Sequence, residues 1–410
     1  MSKYFLFLLA LALMGAALQA QDKATLDLLV KKGVITQAEA DEVGKQSVVI
    51  VQPKDKAVKK LTISGRIHAQ FDYINTDGGN NPPSVQEFLI RRAFINVGAD
   101  LGSGISGEVE LDFAAGQGST TQTGKGTRQL FNKVVISKRW EDLGKLDIGY
   151  RKVDFSQEEV MSSAKMKVVE RSIATRFFTE SLTGEDTGPL AFGNRHVGAY
   201  WEGETSVKGL TYKLAVANGQ QSVTGFTAGG NLMSYWASMA YDGTYKDAKY
   251  TVGLNAGYSQ NANTMGHNVS NDIFGINPYL ALEWGRAGLT AKCMFASVQN
   301  GRADGSDARP LGVNVTPFYR LSDQWEIAGR FSYLSTDGRG VRTSLVPNTP
   351  DAGFSYDDAY SVYGGFNWYI IGNSLKLSAG YEWVRFNGAQ TAQGGSVDEH
   401  AIRTRLQLLF

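Results

Sequence analysis

Val397-Asp398-Glu399-His400-Ala401-Ile402-Arg403-Thr404-Arg405-Leu406-Gln407-Leu408-Leu409-Phe410 closes the chain, and its side chains alternate in character. His400, Ile402, Thr404, Leu406, Leu408 and Phe410 fall on one face; Ala401, Arg403, Arg405, Gln407 and Leu409 fall on the other. Successive side chains of an extended strand point to opposite sides, so this segment has one greasy flank and one charged flank. A soluble sheet seldom leaves Leu-x-Leu-x-Phe exposed at a terminus. Lipid on the apolar side and water on the other is the simpler environment, and it makes the segment a strand of a transmembrane β-barrel.

The other terminus agrees. Lys3 precedes an apolar run from Tyr4 to Met14, and small residues follow at Ala16, Ala17 and Ala20. Residues 1–20 therefore read as a secretory signal peptide with cleavage after Ala20. Beyond it no stretch of about 18 apolar residues occurs, which excludes crossing a bilayer as helices. A mean hydropathy of −0.22 and 47 glycines suit strands in which only alternate residues meet lipid. The lone Cys293 rules out an intrachain disulfide and reads as a small hydrophobe. A formal net charge of +1 names no partner, and basic residues interleaved with acids give no stripe for nucleic acid.

Residues 21–60 read as a periplasmic helical hairpin and basic linker. Leu26, Leu29 and Val30 have helical spacing with Gly33 as a stop, and Thr36 with Glu39 forms a capping box for a second helix to about Gln46. Lys54, Lys56, Lys59 and Lys60 then surround Pro53. A spacer or an oligomerisation element is the role this suggests.

From Leu61 the period becomes two. Leu61, Ile63, Ile67, Ala69, Phe71 and Tyr73 alternate with Thr62, Ser64, Arg66, His68, Gln70 and Asp72. A second strand lies between Phe88 and Leu101, and in a third Ile105, Val109 and Leu111 alternate with Glu108, Glu110 and Asp112. Charge at alternate positions is costly in a sandwich core and tolerated in a wet lumen. Further strands are expected at 129–139, 143–152, 194–204, 208–218, 231–244, 247–259, 272–284, 287–299, 311–320, 323–335, 358–371, 374–387 and 397–410, sixteen in all. Short links such as Gly102-Ser103-Gly104 and Ser322-Asp323 alternate with long polar ones, the pattern of periplasmic turns and external loops. Tyr150, Trp201, Trp284, Tyr319, Trp325, Trp368 and Trp383 near strand ends suit interfacial girdles. The expectation is an all-β fold: a 16-stranded antiparallel transmembrane β-barrel over 61–410, behind a short N-terminal periplasmic helical segment.

The loop at 153–193 is the longest, and it carries Val160, Met161, Val168, Val169, Ile173, Phe177 and Phe178. A solvated loop has no use for them, so it is expected to fold into the barrel and narrow the pore.

The strings ISGRIHAQFDY (63–73), FLIRRAFINVGADLGSGISGEVELDF (88–113), LDIGYRKVDFSQEEVMSSAKMKVVERS (146–172) and RHVGAYWEGE (195–204) with GLTYKLAVANGQ (209–220) resemble the phosphate-selective porin O and P family. The resemblance implies a sixteen-stranded, usually trimeric, anion-conducting pore in the outer membrane of a Gram-negative bacterium, with an inward third loop. By position it implies roles for the paired Arg91 and Arg92, for Lys152, and for Arg171 of the Glu-Arg-Ser string. Where the family commonly has proline before phenylalanine, Asp154 precedes Phe155 and adds a carboxylate near the expected constriction.

Anion passage needs fixed positive charge at a narrow, partly dry point, where guanidinium forks replace the hydration of phosphate or carboxylate. Lumen-phase Arg66, Arg91 or Arg92, Arg151, Lys213, Lys292, Arg330, Arg403 and Arg405 can supply it. The expected constriction set is Arg66, Arg91, Arg92, Lys152, Arg171, Arg403 and Arg405, with Arg92, Lys152 and Arg171 nearest the eyelet. Alternatively, Glu108, Glu110 and Asp112 on the neighbouring strand pair with Arg91 and Arg92 and merely stiffen the wall. Over 152–180, Lys152, Lys165, Lys167, Arg171 and Arg176 balance Asp154, Glu158, Glu159, Glu170 and Glu180, so the loop declares no sign.

Two other classes stay open at this point. A barrel-borne lipase or protease would need a catalytic constellation, and His68, His196, His267 and His400 form none with Ser or Asp in the sequence. No cofactor and no metal is called for, the Gly-rich acidic loops DGGNN and ADGSD being accounted for by turn chemistry rather than Ca²⁺. A surface-display or adhesion barrel with a plugged lumen is the other. The partners expected are the outer-membrane bilayer, small anions and two further copies of the chain, and not nucleic acid.

Overall fold

Alternation of apolar and polar side chains has one closed solution here. The computed structural model describes residues 58–78, 84–114, 130–180, 188–219, 232–260, 272–302, 304–389 and 395–410. The expected signal peptide, the helical hairpin and most of the basic linker of 21–60, most of DGGNN, residues 181–187 of the loop at 153–193, Ala303 of ADGSD, His267 and most of the long connections near 115–128, 219–230 and 260–271 lie outside the described residues.

Sixteen antiparallel strands form a closed barrel. They are β1 (Lys60–Gly78), β2 (Val85–Gly102), β3 (Ile105–Asp112), β4 (Phe131–Trp140), β5 (Gly144–Lys152), β6 (Arg195–Glu204), β7 (Leu210–Asn218) and β8 (Met233–Tyr245). The second half comprises β9 (Ala248–Ser259), β10 (Ile273–Trp284), β11 (Ala287–Val298), β12 (Leu311–Arg320), β13 (Trp325–Ser335), β14 (Tyr356–Asn373), β15 (Leu375–Ala389) and β16 (Val397–Leu409). Each pairs with its sequence neighbour, and β1 pairs with β16 from Arg66 opposite Leu409 to Gly78 opposite Val397. Closure leaves no edge with unpaired backbone groups, which a lipid environment demands.

The last strand points as its sequence requires. Ile402, Leu406 and Leu408 face outward and stay exposed, while Ala401, Arg403, Arg405 and Gln407 face inward and are buried. At the short-turn end, Trp325 stacks on Trp368 with ring centroids 5.4 Å apart. The link from β2 to β3 runs through Gly102, Ser103 and Gly104 with φ of 81°, 52° and 72°. Two glycines there accept the left-handed conformation that such a tight reversal needs.

One irregularity matters for the lumen. His68 pairs with Arg92 but Ala69 pairs with Ile90, so Arg91 is the extra residue of a β-bulge. A bulge shifts the side-chain phase by one. Strict alternation allows only Arg91 or Arg92 to point inward; the bulge turns both toward the lumen, correcting that expectation.

Candidate functional site

The described parts of the loop at 153–193, residues 153–180 and 188–193, pack against inward-facing residues of the wall, and 181–187 lie outside the described residues. The loop contains α1 (Gln157–Val160), a 3₁₀ turn (Ser163–Lys165) and α2 (Ile173–Thr179), whose N-cap Ser172 accepts a 3.2 Å bond from the Thr175 amide. Val153, Phe155, Ile173, Phe177, Phe178 and Phe192 are buried against wall residues such as Met294, Ala296 and Leu334. Burying a side chain of that size is worth roughly 1.5–3 kcal/mol, so these residues drive the loop inward.

Polar anchors fix its path. Glu158 accepts from Lys292 Nζ of β11 (2.7 Å), Asn314 Nδ2 of β12 (3.0 Å) and the Ser172 hydroxyl (2.8 Å). Burial alone would raise its pKa, but Lys292 and Arg330 hold it well below the usual carboxylate range. Lys376 of β15 donates to the carbonyls of Ala164 (2.9 Å) and Met166 (3.1 Å), and Asn367 of β14 donates to that of Lys167 (2.8 Å). The departure at Asp154 is neutralised locally, since Lys213 of β7 pairs with it at 2.7 Å.

Two loop carboxylates gather most of the basic residues singled out from the sequence. Glu170 meets Arg91 Nε at 2.8 Å, Arg176 Nη2 at 2.7 Å and Arg405 Nη2. Arg405 also donates twice to Gln70, at 2.8 and 2.6 Å. Glu159 pairs with Lys152 and, at 2.9 Å, with Arg171, which further donates to the backbone carbonyls of Glu158 and Glu159. Burial pushes both carboxyls up, but Arg171 and Lys152 bring Glu159 down to about 2, and Arg91, Arg405 and Arg176 hold Glu170 well below its ordinary value. Arg66 donates to the Ser163 hydroxyl at 2.6 Å and lies over the Phe94 ring. Arg92 is buried at 6 % exposure, and its Nη1 has no hydrogen-bond partner. Arg403, one inward position along β16, belongs to a separate group with Glu399 (3.2 Å) and Glu382 (3.5 Å).

The alternative of wall pairs between Arg91 or Arg92 and the acids of β3 is not what forms. Glu108 pairs with Lys133 of β4 at 2.5 Å, Glu110 accepts from Asn132, and Asp112 accepts from the Ala93 amide at 3.1 Å. Arg91 reaches past them to the loop.

Sequence reasoning missed a second inward segment. The connection 336–357 carries a bridge between Val341 and Tyr356 and a 3₁₀ turn (Thr343–Leu345), and it buries Val341, Leu345, Val346 and Ala352 in the same cluster as Phe177. Asn348 donates to Asp72 of β1 at 2.6 Å, and Arg403 to the Pro347 carbonyl at 3.2 Å. Val341, Leu345, Val346 and Phe354, scattered through a long polar connection, were the signal. Between the two loops, Arg339 donates to the carbonyls of Gly188 (2.7 Å) and Gly301 (3.1 Å).

The lumen is therefore filled unevenly. Inward charged side chains of β11 to β16, such as Lys292, Arg330, Lys376 and Arg403, are buried. Several of β3 to β7 keep contact with solvent, Lys133 at 28 %, Glu108 at 31 % and Lys213 at 40 %, although Asp147 of β5 is buried. At the seam between loop and wall, Arg91 is 25 % exposed.

Solved structures share this barrel fold. The outer membrane channel DcaP of Acinetobacter baumannii superimposes with a TM-score of 0.56 at 11% identity, covering 88% of this chain and 100% of that one. OprB of Pseudomonas putida gives 0.54 at 9% identity over 85% and 94%, and OmpF of Salmonella typhi, solved with daunomycin, gives 0.51 at 12% over 88% and 100%. Comparison with curated proteins gave no match. The sequence profile described as phosphate-selective porin O and P matches residues 61–275 and 308–410, most of the barrel. With its closed sixteen-stranded wall and inward third loop, the chain belongs to the phosphate-selective porin O and P family, channels of the Gram-negative outer membrane.

Proposed function

We propose that this protein is a passive pore for small hydrophilic solutes with a weak to moderate preference for anions, phosphate among them, and that it works as a homotrimer rather than as an enzyme. The observation that carries the reading is the seam between loop and wall. There Arg91 and Lys152 remain partly exposed beside the buried Arg92, whose Nη1 has no partner. Guanidinium and ammonium donors at a partly dry edge replace the hydration of a passing phosphate or carboxylate. Lys133, Arg151 and Lys213 continue the positive side of the path, and Glu108, Asp147 and Asp154 pair with them. Such pairing keeps each site weak, so an ion enters without being trapped.

Reversal potential in planar bilayers under a potassium chloride gradient tests the preference. A potential of the sign for chloride is expected; a clear potassium preference refutes it. The two inward loops favour a plugged display barrel as the second reading, and an absence of single-channel steps would support that one instead.

A further inference from the structure

We infer that Glu170 is a tethered occupant of an anion site: its carboxylate fills a nest formed by Arg91, Arg176 and Arg405, with Arg92 alongside, that otherwise accepts the carboxylate or phosphate group of a solute. This rests on the anion-pore reading and names the residue that sets its strength.

The geometry is that of a bound ligand. Both carboxylate oxygens are taken by guanidinium groups, Oε1 by Arg91 at 2.8 Å and by Arg405, Oε2 by Arg176 at 2.7 Å. Arg330 donates to the Glu170 carbonyl, and the side chain is 1 % exposed. A structural ion pair needs one cation. Here three guanidinium groups meet the Glu170 carboxylate, only Arg176 sharing its charge with a second acid, Glu180, and Arg92 brings a fourth guanidinium whose Nη1 is buried without a partner. The nearest other acids are already engaged: Glu180 with Arg176 at 2.6 Å and Asp72 with Gln70 and Asn348. Forked donors of this kind match carboxylate and phosphate oxygens. Arg91, a quarter exposed, links the nest to the aqueous path. With Glu170 in place a solute anion meets only the rim; without it, the anion meets the whole nest.

Two variants of the full-length protein in planar bilayers separate charge from space. Glu170→Ala vacates the nest, and inorganic phosphate is expected to block its chloride current at concentrations at least tenfold lower than in the unaltered protein. Glu170→Gln keeps the room filled and is expected to gain less than threefold. Equal phosphate sensitivity of Glu170→Ala and the unaltered protein overturns the inference. If Glu170→Ala does not assemble in detergent, refolding with added acetate decides. Recovery with acetate and not with the same concentration of chloride supports the nest, and no recovery overturns it. The reversal potential of the unaltered protein is a separate reading, so failure of the anion preference and failure of the tethered occupant are distinguishable.

Discussion

Removing Lys292 should loosen the inward loop by a predictable amount. Its ammonium, 4 % exposed, donates to Glu158 at 2.7 Å, to the Ser156 hydroxyl at 3.0 Å and to the Thr175 hydroxyl. Lys292→Met leaves the Glu158 carboxylate, only 13 % exposed, with Arg330 at 3.7 Å as its remaining cation. Breaking one side of a buried pair costs about 3–5 kcal/mol, and the surviving Arg330 points to the lower end. About 3 kcal/mol is roughly two decades in the equilibrium between seated and released loop. Arg171 and Arg176 are trypsin sites buried in the seated state. When reclosing outpaces cleavage, nicking follows the released population. Trypsin in detergent should therefore cut Lys292→Met at 171 or 176 about a hundred times faster than the unaltered protein. Glu158→Gln combined with Lys292→Met removes both charges and should return the rate to within about tenfold of normal, because deleting a whole pair costs little. Nicking of Lys292→Met at the ordinary rate, or no recovery in the double variant, refutes the assignment of Glu158 and Lys292 as the loop's anchor.

Two further outcomes follow from the same contacts. Glu158, Glu159 and Glu170 all have carboxyls depressed in the folded state, so their stabilisation is complete above the ordinary value near 4.5 and is lost as pH falls toward the folded values, about 2 for Glu159; single-channel conductance should stay flat from about pH 8 to 5 and turn noisy only below about 4.5, and a transition centred above pH 5 contradicts it. Burial pulls the Arg339 guanidinium down to about 10, and its acceptors are carbonyls, so Arg339→Leu strands no carboxylate and should cost about 1.5–3 kcal/mol per bond lost; faster amide exchange near 188 and 301 with an unchanged barrel is the expected sign, and unchanged exchange there denies its role as a clasp.

The wall was legible because lipid and water impose a period of two over every strand, and the segments expected at 287–299 and 311–320 fall within a residue or so of β11 and β12. The burial of Phe155, Phe177 and Phe178 against the wall was legible for a different reason: phenylalanines in a long polar connection must be buried somewhere. Arg91 and Arg92 show where the pattern ends. A bulge arises from backbone pairing across two strands, and nothing in the alternation of β2 alone reveals that His68 faces Arg92. Glu170 was hidden likewise, one acid in a balanced tally, because its standing depends on Arg91 and Arg405 arriving from 79 and 235 residues away. Charge counts add residues; a site depends on which of them share a few ångströms.

The two inward loops make the channel eccentric, and its two halves thereby answer to different pressures. Lys133 and Lys213 on the arc from β3 to β7 keep contact with solvent, so on the proposed pore reading exchanging either should alter what passes while leaving assembly alone. On the opposite arc Lys292, Arg330 and Lys376 have become the inside of a protein, and a change there is felt first as a fault in folding. A cylinder built from one repeating pattern thus carries, on a single wall, a surface free to vary and a core that is not.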